Sequence, residues 1–161
     1  MRKLILLLTI MVTLFTLSSV QGKTPYQGEA ELKSEAERGF AEILDLWRDG
    51  RYDELYERTL AGGKQTKEGF IGRMSSASLR PVCCWEKLQE VRVTLKNDES
   101  VVLRAKVGLE GSVGNSFKTR DYKLVKEDGI WRIAQADLLS LSGAARKKGS
   151  YKKKRKIYHS L

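Results

Sequence analysis

The chain is short of histidine, proline and spaced cysteine, and each shortage removes a class of chemistry. The one histidine among 161 residues is His159, two positions from the end. No imidazole in the body is left to activate a serine or cysteine nucleophile. The two cysteines, Cys83 and Cys84, are neighbours. A structural zinc site needs four spaced ligands, and neither a CxxC nor an HxxxH spacing is present. No metal, no cofactor and no catalytic residue are therefore expected. With two prolines and no Pro-rich stretch, the middle of the chain has no interdomain linker. Acidic residues are also missing from the last 19 positions, which hold eight basic ones: Arg146, Lys147, Lys148, Lys152, Lys153, Lys154, Arg155 and Lys156. Of the 30 Lys and Arg, these eight and the opening Arg2 and Lys3 leave 20, which balance the 20 Asp and Glu. The body is neutral, and the net charge of +10 belongs to the two ends.

Arg2 and Lys3 precede the apolar run Leu4 to Leu17, and small and polar residues come next, Ser18 to Gly22. A charged start, an apolar middle and small residues at a cut form an export signal, with cleavage expected after Gly22. The alternative is an uncleaved membrane anchor, because Leu4 to Val20 approaches the roughly 17 to 25 residues of a span. Both readings export the body, to a periplasm or to the outside, since the two cations hold the amino terminus inside. The expected organisation is a signal peptide at 1–22, one domain at 23–142 and a disordered basic tail at 143–161.

Within the domain, Leu32, Ala36, Phe40, Ile43, Leu44 and Trp47 recur at spacings of three and four, which predicts a helix stopped at Gly50. A second helix is expected over Arg51 to Leu60, and a third after Thr66 using Phe70, Ile71 and Met74. Beyond Pro81 the period becomes two. Strands are expected around Leu88 to Leu95, Val101 to Leu109, Phe117 to Lys126 and Ile130 to Asp137, with a Gly-rich loop before the third and a tight turn at Asp128 and Gly129 before the fourth. Helices first and an antiparallel meander afterwards means α+β, with amino-terminal helices on one face of a sheet of about four strands.

The phrases DLWRDGRYDELYERT, FIGRM and KLVKEDGIWRIAQAD resemble the nuclear transport factor 2-like superfamily over roughly Glu29 to Leu139. The resemblance implies a cone-shaped fold in which a long first helix lies in a strongly curved antiparallel sheet, often around a pocket. It implies no single activity, because members include isomerases, dehydratases, cyclases and exported proteins without assigned roles. Ketosteroid-isomerase-like members use a carboxylate base with a tyrosine and a carboxylic acid as donors. Tyr52, Tyr56, Tyr122, Asp121 and Asp137 are the residues of those types here, and none of them aligns with such a motif.

The residues expected to line a pocket in the cone are Trp47, Tyr52, Tyr56, Tyr122 and Trp131, with a small molecule or a protein as ligand. All three tryptophans, Trp85 included, sit in apolar patterns that predict burial. Arg92, Arg104, Lys106, Lys118 and Arg120 recur on strands, as a water-facing surface or an anion-attracting one. Glu29, Glu31, Glu35 and Glu37 form a solvated face near a helix start.

Cys83 and Cys84 leave three alternatives open. Neighbouring Cα atoms lie about 3.8 Å apart, below the usual span of a bridge at about 4.4 to 6.8 Å. A bond between them would form a redox pair that is comparatively easy to reduce. One of them can instead pair with a second chain, or both remain thiols, one facing the core and the other outward.

The basic tail points to an anionic membrane or envelope polymer, with Tyr151, Ile157 and Tyr158 flanking the charges. An export signal at the other end argues against nucleic acid, and a homodimer stays open. The expected function is an exported, non-catalytic binding or interaction module held to an anionic surface. The alternative is a small-molecule isomerase or dehydratase with an acid and base in the cone.

Overall fold

The structure is a computed structural model that describes residues 25–60 and 65–144, with side chains described from residue 28 onward. The expected signal peptide and the eight tail cations lie outside the described residues. The chain divides into two units, 1–31 and 32–161. The described part of the first consists of helical turns alone, and the sheet, the core and the candidate sites all belong to the second.

Helix α1 spans Pro25–Arg48 and α2 spans Tyr52–Glu57. Strand β1, Thr59–Leu60, comes next, and then α3, Lys67–Ser75, and β2, Leu79–Pro81. A single 3-10 turn at Cys84–Lys87 leads into β3, Leu88–Asn97. Strands β4, Ser100–Gly111, β5, Gly114–Glu127, and β6, Ile130–Ala134, complete the sheet before the closing helix α4, Gln135–Leu141. The fold is α+β, with helices packed against a mixed six-stranded sheet in the order β1-β6-β5-β4-β2, while β3 also pairs with β4.

Six strands replace the expected four because the two extra ones are too short for alternation to reveal. Thr59–Leu60 pairs in parallel with Ile133 and Ala134, so the second helix ends at Glu57 rather than running on to Leu60. Leu79–Pro81 pairs with the end of β4. The fourth expected strand stops at Ala134, and Gln135–Leu141 is helical with Leu138, Leu139 and Leu141 buried. That spacing fits one face of a helix better than a ladder. The Gly-rich loop contracts to a tight hairpin, since Gly111 pairs with Gly114 across Ser112 and Val113. At the other hairpin, Asp128 (φ 52°) and Gly129 (φ 76°) both adopt left-handed backbone, as a twist-matched two-residue turn requires.

The core joins the stripe of α1, Ala36, Phe40, Ile43, Leu44 and Trp47, to the inner row of β4, Val101, Leu103, Ala105, Val107 and Leu109, all fully buried. Each large apolar side chain withdrawn from water contributes about 1.5–3 kcal/mol before entropy is counted. Thr66 caps α3 by accepting from the Gly69 amide at 3.2 Å. Two contacts fix α1 on the sheet. Trp131 lies against the backbone at Gly39, where an added Cβ would sit 2.8 Å from Trp131 Cβ. Glu35 meets Lys126 at 2.8 Å, and that ammonium lies over the Trp131 ring.

Candidate functional site: the Cys83–Cys84–Trp85 loop

Strands β2 and β3 lie end to end along the same edge of β4, where Pro81 pairs with Leu109 and Leu88 with Val107. Residues Val82 to Lys87 therefore stand opposite one β4 residue, Gly108, and must loop out. Both ends of the loop are pinned. The Val82 amide donates to the Gly108 carbonyl at 3.1 Å. The Val82 side chain and the Glu86 carbonyl occupy the space a Cβ at Gly108 would need, with Val82 Cγ2 2.7 Å from that point. Lys87 forms an ion pair with Asp45 of α1. Val82 is 3% exposed yet lies apart from the main core cluster.

Between the pins, Cys83, Cys84 and Trp85 are all exposed. Trp85 is 75% exposed, against the burial its apolar surroundings predict; the looping-out opposite Gly108 is the reason. The sulfurs of Cys83 and Cys84 are bonded to each other, with their Cα atoms 3.7 Å apart, and neither side chain enters the core. Cys84 has a φ of 64°, a left-handed conformation that side-chain-bearing residues avoid. Beside it an open groove of about 390 Å3 runs to α1, lined by Cys84, Ser34, Glu37, Arg38, Ala41 and the start of β3.

The residues expected around a pocket are placed otherwise. Trp47, Tyr122 and Trp131 are buried in the core, while Tyr52 and Tyr56 pack against it. The Tyr122 ring meets Phe40 at 4.8 Å and the Tyr56 ring meets Phe70 at 5.7 Å, both pairs tilted. None of the five lines the groove beside Cys84, the groove between α1 and α2, or the one between Ser78 and Asn115. The groove of about 410 Å3 between α1 and α2 carries Glu42, Arg51, Glu54 and Arg58, and these are mutually paired: Arg58 meets Glu42 at 3.0 Å and Arg51 holds Glu54. That pairing draws the Glu54 carboxyl below its ordinary range.

The strand cations divide between two faces. Register puts Arg92, Arg104 and Lys106 on the outer face, where Arg104 pairs with Asp121 at 3.0 Å and Lys106 with Glu90 at 3.4 Å. Lys118 and Arg120 share the inner face with Tyr122 and Leu124. They reach the end of α4: Lys118 donates to the Leu141 carbonyl at 2.8 Å and Arg120 to Ser140 Oγ at 2.7 Å. Burial, reinforced by Arg120, lowers the Lys118 ammonium.

This corner brings together Tyr122 and Asp137, two of the five residues of acid-base type in the sequence, with the strand cations Lys118 and Arg120, a grouping that the sequence did not reveal. The Tyr122 hydroxyl is buried with no hydrogen-bond partner among the described residues. Burial pushes the phenol up to about 12, with Arg120 opposing and Asp137 adding to the rise. Burial likewise raises the Asp137 carboxyl against the pull of Arg120. The signal available in the sequence was the i, i+2 row Lys118, Arg120, Tyr122; reading Asp137 as a strand residue hid it.

Among the described residues no helix is long and apolar enough to cross a membrane, and no three metal-ligating side chains are grouped. In comparisons with known proteins, no family model matches the chain and no curated protein matches it.

Proposed function

We propose that the chain is an exported, non-catalytic interaction module with a nuclear transport factor 2-like cone, held to an anionic envelope surface by its basic tail. The observation that carries this reading is where the aromatic side chains are used. Trp47, Tyr122 and Trp131 are consumed by packing, whereas Trp85 stands three-quarters exposed in a loop pinned at both ends. An exposed tryptophan on a fixed backbone is a contact residue in waiting, because its large apolar face gains most when a partner covers it. The helix-first order and the Asp128–Gly129 hairpin leading into Trp131 support the superfamily reading.

The tail supplies attachment. Each Lys or Arg near an anionic leaflet contributes on the order of 1 kcal/mol, so eight give a reversible hold that salt weakens. Full-length chain should therefore sediment with anionic vesicles at low salt, release at high salt and ignore zwitterionic vesicles. A chain ending at Ala144 keeps the Arg73 contact to the Ala144 carbonyl. If that shortened chain sediments as well as the full one, the attachment reading fails.

A second reading, an isomerase- or dehydratase-like enzyme, draws on Asp137 and Tyr122, whose titrations are raised together. It requires a ligand to reach a hydroxyl on a side chain only 1% exposed. A ligand that shifts the Tyr122 titration would favour it.

A further inference from the structure

We propose that Cys83–Cys84 is a thiol–disulfide exchange site for a dithiol reductant, and that opening the bond resets the position of Trp85. Three observations lead there. Both sulfurs belong to exposed residues, so a thiolate can approach without unfolding the sheet. Cys84 holds a left-handed backbone, φ 64°, that side-chain-bearing residues avoid, so a chain freed from the S–S bond gains by leaving it. The loop is pinned at Val82 and at Glu86 and Lys87, which confines any relaxation to Cys83, Cys84 and Trp85.

The neighbours of the two sulfurs assign their roles. Cys84, and not Cys83, borders the groove lined by Arg38 and Glu37, where Lys87 is already held by Asp45, so the cation a thiolate released there can turn to is the Arg38 guanidinium. The donor's thiolate attacks Cys83 Sγ, a new S–S bond forms to it, and the Cys83–Cys84 bond breaks with its electron pair on Cys84. The donor's second thiolate then attacks its own bonded sulfur and expels Cys83 as thiolate. The donor leaves as a disulfide, having given two electrons, and its two protons end on Cys83 and Cys84. Exchange stands by itself; only its consequence for docking rests on reading Trp85 as a contact residue.

The test uses the full chain purified under oxidising conditions, with dithiothreitol as the dithiol. Free thiols should rise from none to two per chain while circular dichroism stays unchanged. Iodide quenching of tryptophan fluorescence should change with them, because Trp47 and Trp131 are buried and Trp85 alone is exposed. Trp85→Phe should keep the reduction and lose the quenching change. With limiting glutathione and maleimide trapping, mass spectrometry should find glutathione on Cys83 and maleimide on Cys84. Thiols that appear only after urea unfolding, thiols already free in the oxidised chain, or reduction with unchanged quenching would each overturn the proposal. The reverse labelling would overturn the assigned roles. Vesicle sedimentation runs alongside: if it persists while exchange fails, this proposal falls and the attachment reading stands.

Discussion

Gly39→Ala sets two effects of opposite sign against each other in the middle of α1. Alanine in a helix interior is favoured over glycine by about 1 kcal/mol, so propensity alone predicts a more stable protein. The structure predicts the opposite. The new methyl carbon would lie 2.8 Å from Trp131 Cβ, 2.9 Å from Cδ1 and 3.1 Å from Cγ. Trp131 Cβ is fixed by the β6 backbone and cannot swing aside as a flexible chain end would. Either α1 must lift from the sheet or the ring must leave its place over Gly39, where Lys126 also holds it. Overpacking of this kind costs typically about 1–3 kcal/mol, which matches or exceeds the propensity gain. The difference, a net loss of up to about 2 kcal/mol, should lower the melting temperature by up to about 8 °C for a domain of this size. Thermal unfolding followed by circular dichroism reads the result, and near-ultraviolet signals from Trp131 report whether the ring moved. A melting temperature that rises would refute the close packing of α1 on β6.

Two further substitutions probe the polar corner of the inner face. Tyr122→Phe removes a buried hydroxyl that has no partner among the described residues, so the midpoint of urea unfolding should rise, by about 1 to 2 kcal/mol in stability at constant slope; a loss of about 1 kcal/mol or more would mean the hydroxyl is bonded. The phenol is held near 12, so the wild type loses stability as pH rises from about 10 toward 12 and the variant should lose less. For Asp137 the folded carboxyl titrates above its ordinary value of 3.8, so its contribution is fully present below that value and disappears as pH rises through the folded titration. Asp137→Asn should abolish that decline, gaining on the wild type at pH 7 relative to pH 4, and parallel pH profiles would contradict the burial of this group.

What the sequence made legible was whatever repeats. The stripe of α1 and the alternation of β4 announce themselves over ten or more residues, and the Asp128–Gly129 turn carries its own chemistry. Strands of two and three residues have no period to read, which hid β1 and β2 and, with them, the fact that β2 and β3 share one edge. That topology decides the fate of Trp85: an apolar pattern predicts burial, but a loop opposite Gly108 has no core to enter. The cysteine pair was visible as an oddity in the sequence, while its exposure depends on the same hidden register. Asp137 was misplaced because Gln135 to Leu141 continues from a strand without a break.

The non-catalytic reading depends on a packed interior, with contacts to partners made on the outside. Xenon enters apolar cavities and shifts the methyl resonances that line them, so the decisive experiment titrates the folded chain with xenon while observing the buried methyls of Leu103, Leu124 and Ile133. A packed interior gives no saturable shift at these methyls. Saturable shifts centred on Tyr122 and its neighbours would reveal an internal cavity, contradict the packed interior and restore the pocket of an enzyme or small-molecule binder as the leading reading.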